Sequence, residues 1–304
     1  MIVDFHAHVI VRELAPHVSP PPSAVGEFVD PEGILAAADR AGIDHVVLCP
    51  WVRLLSGDLE RCRIQNDALA QLVLAHPRIS ALGVVPLQDP ALAVRELREV
   101  MDAKVLSGVE VAASVGGAYL GDERFGPFWA AAEETGAIVF IHPTTRGFDE
   151  EVFGDFYLWN TVGNPFETTI TAAHMVMAGV LERHPSLRVV LAHGGGALPA
   201  LRGRLRHAHT FQSHARARLR EDPEASIARL YFDSVTHDPA VLRSLVEFAG
   251  GDHVLLGTDH PFDMGDWHPV ATVRAAGLGA RAERAVLGGT ALGLLERDLK
   301  GVRI

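Results

Sequence analysis

Two histidines near the start of the chain, His6 and His8, are separated by one residue and follow an apolar run from Ile2 to Phe5. That run predicts a buried strand, and residues two apart on a strand project from the same face. The two imidazoles would therefore point together from the strand end. This arrangement suits a divalent metal such as zinc, which takes nitrogen and oxygen ligands. A hydrogen-bonded pair of structural histidines is the alternative for these residues alone.

Three further polar residues stand in comparable positions, each directly after or close behind another apolar run. They are His142 after residues 137–141, His193 after 187–192 and Asp259 after 253–257. In a barrel of parallel strands the carboxyl ends of all strands meet at one mouth, where barrel enzymes place their chemistry. Each residue alone could cap a strand or a helix. Together, five metal or proton-transfer groups on four strands predict one metal site at that mouth.

The elements that must position these residues alternate between strand and helix, with no low-complexity linker. Predicted strands cover residues 2–5, 43–48, 79–85, 108–111, 137–141, 187–192, 230–233 and 253–257. Predicted helices cover residues 31–41, 59–75, 90–101, 124–135, 167–183, 239–248, 269–276 and 282–297, with a basic helix after strand six. Asp30 is a plausible cap of the first helix and Gly42 its stop.

Eight short strands, each followed by a helical segment or loop, predict an α/β fold, a single (β/α)8 TIM barrel. We expect a single domain over residues 1–304, with a proline-rich excursion at residues 11–30 that could cover the histidine pair. A doubly wound open sheet is the competing architecture. It is disfavoured because no glycine-rich dinucleotide-binding turn follows the first strand.

The composition of the chain argues against two classes of binding partner, nucleic acids and membranes. The 304 residues carry a net charge of -11, which argues against nucleic-acid binding, since such binding needs a basic footprint. No apolar run is long enough to cross a membrane and the start is not signal-like, so we expect a cytoplasmic protein without membrane association. Cys49 and Cys62 are expected to be reduced and structural. Most arginines between residues 202 and 220 are expected on a solvated helix face, although one could face an anionic ligand.

The number of metals can also be argued from the residue types. Two-metal sites of this kind often use a modified lysine as a bridging carboxylate, but the only lysines are Lys104 and Lys300, and neither is at a strand's carboxyl end. Glu110 on strand four could bridge, or could support a histidine from behind. We therefore expect one metal ion.

The chain resembles the amidohydrolase-related (amidohydrolase 2) family, in the group that includes aminocarboxymuconate-semialdehyde decarboxylase and the non-oxidative aromatic acid decarboxylases. The resemblance covers nearly the whole chain and implies a (β/α)8 TIM barrel of the metal-dependent hydrolase type. The segments that carry it are His6-Ala7-His8, Ile141-His142-Pro143, Gly163-Asn164-Pro165-Phe166-Glu167-Thr168-Thr169, Ala192-His193-Gly194-Gly195-Gly196, Val235-Thr236-His237-Asp238-Pro239 and Leu256-Gly257-Thr258-Asp259-His260-Pro261.

This resemblance implies roles for the strand-end residues. It implies His6, His8, His142 and Asp259 as metal ligands, and His193 as the acid/base that contacts a metal-bound water. His193 and Asp259 are thus the candidate catalytic residues. The paired histidines resemble the aminocarboxymuconate-semialdehyde branch, which favours Zn²⁺, with Mn²⁺ as the alternative.

The resemblance also concerns the substrate and the assembly. Arg204 matches an arginine that in this branch reaches into the neighbouring subunit and holds the substrate carboxylate, which implies a homodimer. A second substrate-binding arginine has no evident counterpart, since only Arg12 lies in the segment after strand one. Where an aromatic residue is expected, three positions before Gly163, the chain has Asn160 with Trp159 beside it. We take Trp159, Asn160 and Arg204 as candidate substrate-binding residues.

These observations predict a metal-dependent, non-oxidative decarboxylase of a small unsaturated or aromatic carboxylic acid. The alternative within enzymes is hydrolysis of a lactone, ester or amide, or hydration of a dienoate, because a metal-activated water serves these reactions too. A non-catalytic barrel that stores metal is the third hypothesis. It is disfavoured because a degenerate site normally lacks a metal ligand or its proton-transfer group, and neither is missing here.

Overall fold

A computed structural model describes residues 1–18, 28–55, 58–144 and 151–295 of the chain. Its centre consists of short, almost entirely buried strands. The strands are β1 (Val3–Val9), β2 (His45–Pro50), β3 (Ile79–Ala81), β4 (Gly83–Val84), β5 (Gly108–Ala112), β6 (Ser114–Val115), β7 (Ala118–Tyr119), β8 (Ile138–His142), β9 (Arg188–Leu191), β10 (Tyr231–Asp233) and β11 (Val254–Leu255). Burial of both faces explains why these segments read as continuous apolar runs rather than as an alternating pattern.

All of these strands except the β6–β7 hairpin form a closed cylinder. One sheet has the order β1-β2-β3 and the other β11-β10-β9-β8-β5-β4, and every pairing in them is parallel. β3 and β4 are two pieces of one strand, which gives eight strand positions. The seam is closed where the Phe5 N–H donates to the Leu256 carbonyl at 2.8 Å and Ala7 bridges to His260. The predicted (β/α)8 barrel is confirmed, and the open sheet was the wrong alternative.

Helices follow the strands, and all but the last, which packs against the core inside the barrel, cover the outside of the cylinder. They are α1 (Pro31–Ala41), α2 (Leu59–Ala75), α3 (Pro90–Asp102), α4 (Gly126–Thr135), α5 (Asn164–Met177), α6 (Val180–Arg183), α7 (Leu198–Phe211), α8 (Pro223–Ile227), α9 (Pro239–Ala249), α10 (Pro269–Ala275), α11 (Ala280–Arg284) and α12 (Thr290–Leu295). Asp30 caps α1 by accepting from the Glu32 N–H, and Gly42 ends it in the left-handed conformation, as predicted. None of the described helices has the length and apolar character to cross a membrane.

The register of β1 determines where the histidines point. Val3 and Phe5 belong to the core inside the barrel, whereas Ala7 and Val9 belong to the core between barrel and helices. The pairing of β1 with β2 shifts between Asp4 and Ala7, and this bulge changes which alternate residues face inward. His6 and His8 can therefore share the inner side of the barrel, although Phe5 also faces inward.

Several predicted boundaries were wrong. The first strand continues to Val9, so His6 and His8 lie within it rather than at its end. The predicted helix 167–183 is two helices, because Gly179 adopts a left-handed φ of 70° between α5 and α6. The last predicted helix is interrupted by a π-helical turn at Ala285–Gly289. Of the predicted excursion, residues 19–27 lie outside the described part of the chain. The single domain stays a prediction.

Candidate metal centre and active-site cleft

The four predicted ligands converge inside the mouth of the barrel. His6, His8, His142 and Asp259 are all buried, and one ligand atom from each lies within 4.8 Å of the others. His6 Nε2 is 3.0 Å from His8 Nε2, and Asp259 Oδ1 is 3.3 Å and 3.2 Å from these two nitrogens. The structure thus brings together residues from β1, from the end of β8 and from the segment after β11. The most distant pair, His6 and Asp259, is separated by more than 250 positions in the sequence.

In His8 and His142, the ring nitrogen that faces away from the cluster, Nδ1, lies next to a backbone carbonyl. Nδ1 of His8 lies 3.0 Å from the Pro50 carbonyl, and Nδ1 of His142 lies 2.8 Å from the Pro143 carbonyl. A carbonyl can only accept, so each Nδ1 carries the proton and each Nε2 of a neutral ring presents a lone pair. The Nε2 of His142 is buried and has no hydrogen-bond partner among the described residues.

The protonation equilibria of the centre follow from burial and from its carboxylates. Burial lowers the pKa values of His8 and His142, which favours their neutral, ligating forms. Burial also lowers the pKa of His6, but Asp259 and Asp233 outweigh it and raise the value to about 10. Asp259 would be raised by burial, yet His6 and the hydrogen bonds from the neighbouring histidines hold its pKa well below the ordinary value. The carboxylates of Asp233 and Asp259 therefore stabilise positive charge at this point, whether a proton on His6 or a bound cation carries it.

This donor set fits a divalent cation. Three imidazole nitrogens and a carboxylate oxygen meet the preferences of Zn²⁺, and a cation between them would satisfy the Nε2 of His142 and offset the repulsion of adjacent lone pairs. No lysine or arginine among the described residues forms an ion pair with Asp233 or Asp259. A divalent metal site is therefore plausible on the geometry of the residues alone.

His193 lies beside this donor set, at the first residue of a turn after β9. Its Nε2 is 3.4 Å from Asp259 Oδ2, the carboxylate oxygen that does not face His6 and His8. His193 and Asp259 both adopt left-handed backbone conformations, with φ of 56° and 57°. Such conformations are costly for residues other than glycine and cluster at functional sites.

Asp233, at the carboxyl end of β10, is a residue of the centre that our sequence reasoning missed. It is fully buried, and its carboxylate accepts from His6 Nδ1 at 2.7 Å and from the backbone N–H groups of His193 and Gly194 at 2.9 Å and 2.8 Å. Burial would raise its pKa, but the hydrogen bond and charge of His6 lower it below the ordinary value. Asp233 thus orients both the candidate ligand His6 and the turn that begins at His193, which we call the acid/base turn after the role predicted for His193. An acidic residue at a predicted strand end was the available signal.

A second buried carboxylate, Asp4, supports Asp259 from the outer side. It accepts from the Thr258 hydroxyl at 2.6 Å and from the backbone N–H groups of Thr258 and His6, each at 3.0 Å. Burial raises its pKa to about 7. Asp4 therefore ties the first strand to the segment after the last strand, which places His6 and Asp259 in register across the seam.

Two of the segments that carry the family resemblance, residues 163–169 and 192–196, are in direct contact. Gly196, with φ of 61°, approaches the start of α5 so closely that an added Cβ would lie 2.0 Å from the Pro165 carbonyl oxygen. The Thr169 hydroxyl accepts from the Ala197 N–H at 2.8 Å. Glu167, also on α5, accepts from the Ser114 hydroxyl and the Thr144 N–H, both at 2.7 Å. These contacts hold the acid/base turn, the start of β6 and the segment after β8 against one helix.

A cleft of about 570 Å³ leads from His193 and Asp259 to the surface between α7 and α9. Asn160 lines it, in the π-helical turn that precedes α5. Trp159 is not among the described lining residues; it is 41% exposed and packs edge-on against Tyr157 at 4.9 Å between ring centres. Arg204 is exposed on α7 and does not line the cleft of its own chain. The cleft also contains His237 and Arg202, which we had not selected.

Glu110 does not belong to the donor set. It is buried, neither of its carboxyl oxygens has a hydrogen-bond partner among the described residues, and burial raises its pKa well above the ordinary value. The support for a histidine that we considered for Glu110 is instead supplied by Asp233.

Comparison with known proteins assigns the chain to a family. A family model described as Amidohydrolase matches residues 3–297. The chain belongs to this amidohydrolase family. It is 32% identical to a 2-amino-3-carboxymuconate-6-semialdehyde decarboxylase of Dictyostelium discoideum, over 88% of this chain and 77% of that protein. It is 31% identical to a 6-methylsalicylic acid decarboxylase of Penicillium expansum, over 90% of this chain and 95% of that protein.

A solved structure agrees with these relatives. The 5-carboxyvanillate decarboxylase from Sphingomonas paucimobilis superposes with a TM-score of 0.88 and 25% identity, over 97% of this chain and 98% of that one. The predicted family is therefore confirmed, and so is the prediction that this member of the amidohydrolase family is an enzyme of the metal-dependent, non-oxidative decarboxylase class.

Proposed function

We propose that the protein removes carbon dioxide from a small unsaturated or aromatic carboxylic acid at the centre formed by His6, His8, His142 and Asp259. The observation that carries this proposal is the position of His193, which lies against Asp259 where the cleft meets the donor set. A proton-transfer group, a cation site and a substrate-sized cavity thus meet at one point. The named relatives support the same reaction class.

The residues suggest how the reaction proceeds. A divalent cation held by the four ligands would bind the acid's oxygens and withdraw electron density from the carbon that carries the carboxylate. His193 holds the proton at Nε2 and delivers it to that carbon. Asp259 Oδ2, 3.4 Å away, faces that nitrogen and orients the imidazole. The carbon–carbon bond then breaks, its electrons return to the substrate's conjugated system, and carbon dioxide leaves. In sum, one carboxylate and one proton give the product and carbon dioxide.

Product analysis tests the reaction. The zinc-loaded protein is incubated with 6-methylsalicylate, 5-carboxyvanillate and a panel of lactones, and the products are identified by mass spectrometry in water enriched in ¹⁸O. We expect carbon dioxide and a product that has exchanged its carboxyl group for hydrogen. A ring-opened acid that contains solvent oxygen would instead show hydrolysis and contradict the proposal.

We further propose Zn²⁺ as the physiological metal, because the donor set contains three imidazoles and a single carboxylate. Elemental analysis of protein purified without added metal should find about one zinc per chain. A manganese content near one per chain, with activity restored by Mn²⁺ alone after chelation, would contradict this choice. A cytoplasmic location also stays a prediction, to be checked by cell fractionation.

We propose that Arg204 acts in the neighbouring subunit of a homodimer. Its exposure on α7, outside the cleft of its own chain, supports this role, because a residue that completes a partner's site must project from its own surface. The test mixes inactive His193→Ala and Arg204→Ala subunits. Recovery of activity in the mixture is expected, since one of the two sites in each mixed dimer then contains both residues. A monomeric protein in sedimentation experiments would refute the proposal.

A further inference from the structure

Arg202 differs from the other arginines of α7 in its position. It lines the cleft that also contains His193 and Asp259, and it is half-buried, whereas Arg204 and Arg206 are exposed. The exposed Val241 and Ser244 of α9 also line this cleft, and together with the half-buried Arg202 they define what we call its surface end. The positively charged side chain of Arg202 therefore lines the cleft of its own chain. Arg202 was not among our candidate substrate-binding residues.

The guanidinium of Arg202 is fixed by two contacts. One NH group donates to the Pro199 carbonyl one turn earlier on α7. Its central carbon lies 4.6 Å from the ring centre of Phe248 on α9, in a cation–π arrangement. Together these contacts bridge α7 and α9 and limit the rotation of the side chain. An arginine held in this way loses little entropy when it binds a ligand.

The charge of Arg202 has no counter-ion in the described part of the chain. Arg206, one turn further along α7, pairs with Glu224 at 3.0 Å, and Arg98 pairs with Glu134 at 2.7 Å. Among the described residues, no carboxylate lies within 4.0 Å of the Arg202 guanidinium. The guanidinium has five N–H donors, and a single one is used in the contact with Pro199. The remaining donors form a planar fork that suits a carboxylate.

We propose that Arg202 forms a second anion subsite, separate from the metal-binding end of the cleft, and that the substrate carries a second carboxylate that this subsite recognises. The proposal rests on the proposed function, which places the reacting carboxylate at the other end of the cleft. It concerns an arginine of the same chain, so it is independent of the role proposed for Arg204 in a dimer. The Ser244 hydroxyl, which lines the same end, can add a hydrogen bond to the bound group.

The experiment compares ligands that differ by one carboxylate. Benzoate, isophthalate and terephthalate are titrated into the zinc-loaded full-length protein by calorimetry. We expect at least one dicarboxylate to bind about tenfold or more tightly than benzoate, as a charge-assisted hydrogen bond predicts. Arg202→Gln should weaken that dicarboxylate by about 10-fold to 100-fold and leave benzoate unchanged. Arg202→Lys, which keeps the charge without the fork, should lie between the two.

The matched control is Arg206→Gln, which removes an exposed, paired arginine of the same helix and should change neither affinity. Arg202→Met keeps an unbranched side chain against Phe248 and replaces Arg202→Gln if that variant does not fold. The proposal is overturned if neither dicarboxylate exceeds benzoate in the unsubstituted protein, or if Arg202→Gln and Arg206→Gln bind them equally. If the selectivity is present but no acid releases carbon dioxide, the proposed function fails and the subsite stands.

Discussion

The two ends of the active-site cleft are built in different ways. At the proposed metal-binding end, the three candidate ligand histidines each have a second hydrogen bond, to Asp233, Pro50 or Pro143. All four candidate ligands are buried. At the surface end Asn160, His237 and Arg202 come from helices and turns, and each is exposed or half-buried. The difference indicates that the barrel fixes the chemistry, while surface elements outside its strands determine which acid enters.

The largest effect is expected from the metal-binding end. His142→Ala removes a proposed ligand whose Nε2 has no hydrogen-bond partner among the residues that the structure describes, so metal and activity should be lost together. We expect turnover to fall by at least about 1,000-fold, well beyond the 10-fold to 100-fold typical of an outer hydrogen-bond partner. The measurement is carbon dioxide release alongside bound zinc. His207→Ala, on the exposed face of α7, is the control and should retain both. An active, metal-free His142→Ala protein would contradict the assignment.

The contact between the acid/base turn and α5 should be nearly as sensitive to substitution, but the expected loss is in stability rather than in activity. Gly196→Ala would place a methyl group 2.0 Å from the Pro165 carbonyl at a left-handed φ. We expect a loss of at least about 3 kcal/mol in the free energy of unfolding, measured with urea. Gly203 lies in the interior of α7, where an added Cβ would have no atom within 4 Å apart from its chain neighbours and the backbone of its own helix. Gly203→Ala should therefore gain about 0.5–1 kcal/mol in the free energy of unfolding. Equal effects at the two positions would show that the close approach is not a constraint.

Asp233 tests whether the ligands depend on their supporting contacts. Asp233→Asn replaces an oxygen that accepts hydrogen bonds with an amide group that can only donate, next to His6 Nδ1 and two backbone N–H groups. We expect zinc affinity to fall by about 10-fold to 100-fold, measured by competition with a chelator. Asp238→Asn, at the exposed N-cap of α9, is the matched control and should leave zinc affinity unchanged. Unaltered affinity in Asp233→Asn would mean that His6 is held without this hydrogen bond.

The same contrast explains what the sequence could predict. The convergence of the four candidate ligands could be predicted because residues at the carboxyl ends of barrel strands must meet, whatever the details of the loops between them. Asp233 obeys the same rule, and it was missed because a lone acidic residue after a three-residue strand has no neighbouring histidine to mark it. The bulge in β1 was not predictable, since it depends on how β1 pairs with β2 across more than 30 residues.

The surface end follows no such rule. Arg202 and Arg204 look alike in the sequence, and only the direction of α7 relative to α9 separates the residue that lines the cleft from the one that is exposed. Trp159 and Asn160 are adjacent, yet the π-helical turn at Trp159–Gly163 places Asn160 in the cleft and Trp159 against Tyr157. Side-chain directions in such a turn depend on an irregular hydrogen-bond pattern that residue types do not specify.

The smallest expected effect distinguishes these two neighbours. Asn160→Ala removes one neutral hydrogen-bonding group from the cleft, so KM should rise by about threefold to tenfold with little change in kcat. Trp159→Ala should change KM by less than about twofold, because the indole packs on Tyr157 outside the described lining of the cleft. Steady-state kinetics on the acid that the product screen identifies would measure both. A larger rise in KM for Trp159→Ala would show that the indole reaches the substrate, and the surface end would then rearrange on binding while the metal-binding end stays fixed.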